Sequence, residues 1–172
     1  IVLNLVYTFL IGSTSQSVLY KFSESIDYQY SKKYHLISNI ITGLFYCCFW
    51  VLYGYSSQFF IYSLCSTILV SISIIDSFYL EIPDEHNLLI FLLGITYAIL
   101  NPQTITNAVL GGLYGGGIYL LMAIISKGGI GGGDIKLAAV TGILLGPRNT
   151  VLGVYYTFII ATFYRIFFPF QY

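Results

Sequence analysis

Long apolar blocks, separated by short polar or glycine- and proline-marked breaks, make up most of this chain. The apolar positions do not alternate, as in a half-buried strand, nor keep to one stripe, as in an amphipathic helix. A bilayer core of about 30 Å needs roughly 20 apolar residues in helical form. On that measure the pattern predicts seven segments, at about 1–20, 36–55, 59–75, 88–100, 107–126, 135–145 and 150–168. The breaks between them are a polar stretch at 21–35, Ser56-Ser57-Gln58, the acid-rich stretch 76–87, Asn101-Pro102, the loop 127–134 and Gly146-Pro147-Arg148-Asn149. The sixth segment is short for a full crossing. The expected fold is all-α: a polytopic transmembrane bundle of about seven spanning or partly spanning helices. An N-terminal hairpin at 1–58 is expected to precede a functional core at 59–172.

Composition sharpens the picture. Only 8% of the 172 residues are charged, against 57% hydrophobic. Soluble domains carry about 25% charge, so lipid is the expected surroundings for most of this surface. The net charge is zero and no basic run suggests nucleic acid. Residues 1–10 are apolar without a basic preceding region or a small-residue cleavage site, and read as the start of a spanning helix rather than a signal peptide. Cys47, Cys48 and Cys65 lie in apolar blocks with no CxxC pair, and are expected to be buried thiols packing between helices.

Basic residues give an orientation. If the first polar loop is cytoplasmic, so are the loops after the third and fifth segments. The inner side then holds Lys21, Lys32, Lys33, Lys127, Lys136 and the end carrying Arg165, leaving Arg148 outside. The positive-inside rule favours that arrangement. In either orientation, two segments separate Asp76 from Asp134, which places both on one face of the membrane.

The chemistry lies with the carboxylates. Glu24 and Asp27 fit a solvated loop, which leaves Asp76, Glu81, Asp84, Glu85 and Asp134. A charged group at the centre of a bilayer costs about 2.5 kcal/mol or more. Asp76 follows an apolar run and Asp134 precedes one, so each is expected at a membrane boundary. Two such aspartates on one face either mark helix ends or form an aspartyl pair sharing one proton. In the second case one carboxylate activates water while the other polarises the scissile carbonyl and protonates the amine. Helix polarity assigns the ionised role to Asp134, at a helix N-terminus, and the shared proton to Asp76, near a C-terminus. Gly131 and Gly133 would let the backbone bend and an extended substrate approach. Gly111, Gly112, Gly115 and Gly116 have the four-residue spacing of close helix packing. Lys136 either steadies Asp134 or snorkels to the interface. His35 and His86 lack partners at metal-ligand spacing and are expected at the interface. No metal or other cofactor is called for, and Ser13, Ser15 and Ser17 show no serine-protease arrangement.

At two stretches the chain resembles the type IV prepilin peptidases, which are GxGD aspartyl proteases. One is Asp76-Ser77-Phe78-Tyr79-Leu80-Glu81-Ile82-Pro83-Asp84. The other is Gly131-Gly132-Gly133-Asp134-Ile135-Lys136-Leu137, continuing to Gly146. The likeness is close over about 59–153 and looser at Gly12-Ser13 and 34–46. Phe168-Pro169-Phe170 echoes a further motif. The resemblance implies an endopeptidase of the cytoplasmic membrane, serving type IV pili, secretion or competence. It would remove a short basic leader from prepilins or pseudopilins at the cytoplasmic face, with Asp76 and Asp134 catalytic. Asp84, helped by Glu81 and Glu85, would bind the leader, or the three form an exposed acidic loop. The chain departs from the family in lacking the cysteine-rich, zinc-binding insert of many members, and in carrying Ser38 where an acid is expected. For that reason N-methyltransferase activity is not expected. The competing readings are a non-enzymatic scaffold for pilus or secretion assembly, and a transporter. Presenilin-like proteases fit less well, because they carry their aspartates on adjacent helices.

Overall fold

The structure, a computed structural model, describes residues 1–29, 31–101 and 105–167. Those residues form six helices and no strand: α1 (Val2–Ser25), α2 (Lys32–Tyr53), α3 (Ser57–Tyr79), α4 (Asp84–Leu100), α5 (Ile105–Ile125) and α6 (Gly132–Phe167). All but α4 are long and apolar enough to cross a membrane. The expected all-α, multi-spanning fold is found. The turn at Pro102 and the motif at 168–170 lie outside the described residues. The chain divides into two compact units, 1–93 and 94–172.

In the first unit α1 and α2 run antiparallel. Gly12 faces Gly43 so closely that a Cβ at position 12 would lie 2.9 Å from the Gly43 Cα. That approach lets short polar side chains bridge the helices. Thr42 Oγ1 donates to Gln16 Oε1 at 3.2 Å, and Asn39 Nδ2 donates to Ser17 Oγ at 3.2 Å. Without water as a competitor, small-residue packing and such bonds hold membrane helices together, each bond contributing about 0.6 kcal/mol. Helix α3 completes this bundle, burying Phe59, Ile61, Ile68, Ile72 and Ile75. It starts where Ser56 accepts a bond from the Phe59 amide at 3.3 Å. It ends at Leu80, which is left-handed at φ 54°. Of the cysteines only Cys65 is fully buried; Cys48 is exposed, contrary to the expectation for all three. It falls on the outer face of α2, where an apolar thiol suits lipid.

In the second unit α5 packs antiparallel to the start of α6. A Cβ at Gly115 would strike the Ala138 carbonyl, and one at Gly111 would strike the Gly142 carbonyl. The same Gly115 position also lies 3.3 Å from Thr150 Cγ2. In a straight helix, positions 138 and 150 stand about 18 Å apart. Both can touch Gly115 only if the chain folds back between them. The reversal is at Gly146, whose φ of 75° and ψ of 169° suit glycine, followed by Pro147 at the first position of the second arm. The sixth and seventh expected segments are therefore the two arms of α6.

Candidate active site

Asp76 sits in the last turn of α3, three residues before its end rather than beyond it. Its neighbour Ile75 is wholly buried while Asp76 itself is exposed, so the carboxylate points away from the packed face of α3. The Leu80 amide closes the turn by donating to the Asp76 carbonyl at 2.9 Å. Beyond it, Glu81 is exposed, Pro83 is buried, and Asp84 and Glu85 occupy the first turn of α4. Acids are favoured there by the positive end of the helix dipole.

An aromatic clasp holds the α1–α2 connection against this end of α3. The Tyr79 hydroxyl donates to the Gln29 carbonyl at 2.9 Å and accepts from the Gln29 amide at 3.0 Å. Tyr28 packs edge-on against Tyr79 at 5.2 Å and donates its hydroxyl to Glu81 Oε2 at 3.3 Å. Tyr34 of α2 meets Phe78 edge-on at 4.8 Å. Burial, and after it the negative charge of Glu81, push the Tyr28 phenol above its ordinary 10.0. The raised value means the neutral phenol stabilises the loop fully below pH 10, and that contribution is lost as pH climbs through the higher folded value. In Glu81→Gln, the Tyr28 titration, read as the absorbance difference from Tyr28→Phe, is expected to move back toward 10.

Asp134 is the third residue of α6 and is also exposed. Of the bend and the room expected from the glycines before it, the bend lies further upstream. Left-handed backbone occurs at Lys127 (φ 54°) and Gly128 (φ 93°), where α5 ends, and not at Gly131 or Gly133. Gly133 is already helical. What Gly131 supplies is space: a Cβ there would lie 3.2 Å from Asp134 Oδ2, whereas one on Gly132 would meet nothing. Following the pairing of Gly111 with Gly142 and Gly115 with Ala138, Asp134 stands level with Tyr119 of α5. The Tyr119 phenol is within electrostatic reach of the carboxylate. Lys136 is exposed on the same first turn.

His86 is packed inside the first unit. It is wholly buried, with Nε2 3.2 Å from Ser23 Oγ and 3.4 Å from Ser71 Oγ. The partners of His86, and Tyr119 altogether, escaped sequence reading because neither residue belongs to a motif; a buried histidine beside a helix start leaves no periodic trace. Among the described residues no cluster of histidine, cysteine and acidic side chains is placed to hold a metal. The α1–α2 connection contains no cysteine, so it offers no zinc-binding thiolates of the kind an insert would supply.

Apolar helices that can cross a bilayer several times, with aspartates at the end of one and the start of another, define a multi-pass membrane protein with acid-bearing helix termini. Residues 63–166 match the type IV leader peptidase family, a span that includes both aspartates, and the chain belongs to that family. It is 28% identical over 130 residues to a prepilin leader peptidase/N-methyltransferase of Bacillus subtilis (strain 168). The match covers 74% of this chain and 52% of the relative, so the chain spans about half the length of that relative. No solved structure matches.

Proposed function

We propose that the protein is an aspartyl endopeptidase that removes the leader of type IV prepilins or pseudopilins at the cytoplasmic face of the membrane, using Asp76 and Asp134. The observation that carries this reading is that both aspartates lie in the family match and within the two motif blocks. The dipole at the start of α6 favours Asp134 as the ionised base. It takes a proton from water, whose oxygen attacks the scissile carbonyl carbon. Asp76, holding the shared proton, hydrogen-bonds the carbonyl oxygen and then protonates the leaving amine as the C–N bond breaks. The product acid and amine balance the water consumed. Glu81, Asp84 and Glu85 offer acids for a basic leader, with Glu81 also engaged by Tyr28. Lys136 lies on the turn that carries Asp134 and adds positive potential there. The N-methyltransferase part of the relative's name is not transferred to this chain, given its short α1–α2 connection.

The test is leader cleavage of a co-expressed pseudopilin by wild type, Asp76→Ala and Asp134→Ala, each checked for membrane insertion. Cleavage by wild type and loss in both variants supports the pair. Cleavage retained by either inserted variant removes that residue from the mechanism. No cleavage of any prepilin by wild type favours the scaffold reading. The space beside Gly131 adds a finer check. Gly131→Ala crowds Oδ2 and is expected to lower kcat about tenfold or more, since small misplacements of a reacting group are expensive. Gly132→Ala, facing open space, is expected to keep wild-type turnover.

A further inference from the structure

Three polar groups from three helices meet inside the first unit: Ser23 in the last turn of α1, Ser71 of α3 and His86 in the first turn of α4. All three residues have zero exposure. Their polar atoms form a closed triangle, with Ser23 Oγ 3.2 Å from Ser71 Oγ and His86 Nε2 3.2 and 3.4 Å from the two hydroxyls. Ser23 Oγ also lies 3.0 Å from the Leu19 carbonyl.

Hydrogen accounting sets the direction of these bonds. His86 Nδ1 is buried and meets no partner. A proton there would be a buried, unpaired donor, at a cost of roughly 1–3 kcal/mol. With the proton on Nε2, every donor is used: Nε2–H gives to the Ser23 and Ser71 hydroxyls, Ser71 to Ser23 Oγ, and Ser23 to the Leu19 carbonyl. The bonds tie α4 to α3 and to the backbone of α1.

Its position matters because of what lies on either side. Ser71 precedes Asp76 by five residues, a rise of about 7.5 Å along rigid helix. His86 follows Asp76 across the Leu80–Pro83 turn, whose first amide bonds the Asp76 carbonyl. The triangle therefore joins the two ends of the segment that carries the carboxylate, and anchors both to α1. Asp76 is exposed on its outer side, so this fastening acts on the inner side of the turn that carries it.

We propose that His86, through Ser71 and Ser23, is a positioning residue for Asp76, holding the α3–α4 turn in the register that cleavage requires. This rests on the peptidase reading, but half of its test does not. His86→Leu removes the donor at similar volume, while His86→Gln keeps an N–H donor at the reach of Nε2. Hydrogen exchange, followed by mass spectrometry on the purified full chain in detergent, reads the fastening without any substrate. Exchange at the Leu80 amide is expected to speed up at least tenfold in His86→Leu and to stay within threefold of wild type in His86→Gln. In pseudopilin cleavage, His86→Leu is expected to lose about tenfold to a hundredfold in kcat, with KM within twofold, and His86→Gln to recover most of it.

Unchanged Leu80 exchange in His86→Leu overturns the fastening itself. Faster exchange with unchanged kcat, or a raised KM with unchanged kcat, overturns the positioning role. If Asp76→Asn and Asp134→Asn still cleave in the same assay, the peptidase assignment fails, while the exchange result stands or falls separately. Where His86→Leu does not accumulate folded, Ser71→Ala takes its place with the same expected directions. It takes α3 out of the triangle, leaving the His86 Nε2–Ser23 Oγ contact at 3.2 Å, and removes only one oxygen.

Discussion

Changing Asp76 and Asp134 together to asparagine is expected to cost no more leader cleavage than changing either alone. A positioned acid or base contributes about 10²–10⁴-fold to a rate. If the two carboxylates acted independently, the losses would multiply. An aspartyl pair shares one proton and one water, so removing either member leaves the other with nothing to act on. Residues that work as a unit are strongly non-additive in this sense. Each single variant should therefore fall about 10³-fold or more, and the double variant to the same floor. Single-turnover cleavage in detergent with equal amounts of inserted enzyme checks this. A double variant a further 10³-fold below both singles would separate the aspartates into independent roles.

The second large effect is on stability. Gly115→Ala should destabilise the second unit by about 3 kcal/mol, the upper end of the usual cost of overpacking. The added methyl has no open side. It meets the Ala138 carbonyl on one α6 arm and Thr150 Cγ2 on the other. A backbone carbonyl cannot swing aside as a flexible side chain would, so α5 and both arms must separate. Gly117→Ala is the control, because nothing lies within 4 Å of its added carbon. Thermal denaturation of the detergent-solubilised protein, followed by loss of the monodisperse peak, should show a lower midpoint for Gly115→Ala alone. Equal midpoints would mean that the packing of α5 against α6 is looser than described.

Much of this architecture was legible because lipid imposes a coarse rule. An apolar run of bilayer length has to be helix, since no other open segment satisfies its own backbone there. That rule found α1, α2, α3 and α5, and the pair Gly146-Pro147 marked the break in α6. Boundaries were less legible. Asp76 and Tyr79 look like loop by polarity, yet α3 runs through them because its closing signal is the left-handed Leu80, which no side chain announces. The glycines before Asp134 were visible, and of the purposes expected of them the structure shows room rather than a left-handed bend. The bend falls at Lys127 and Gly128, and Gly131 makes room for a carboxylate. The clasp of Tyr28, Gln29 and Tyr79, and the triangle at His86, depend on residues fifty or more positions apart in the first case and on three helices in the second. Neither has a local pattern to read.

Helix α5 continues from Tyr119 to Ile125, so Asp134 lies six residues, or about 9 Å, short of that helix's end. A carboxylate set that far below a rim of helix brings its own hydration with it. The residues between, Ser126 to Gly129, are exposed, and in a bilayer they would wall a wet notch rather than a lipid seam. The expected route to Asp134 is then aqueous: a small, water-soluble carboxyl reagent should reach it without partitioning into the membrane, and an oil-soluble one should gain no advantage.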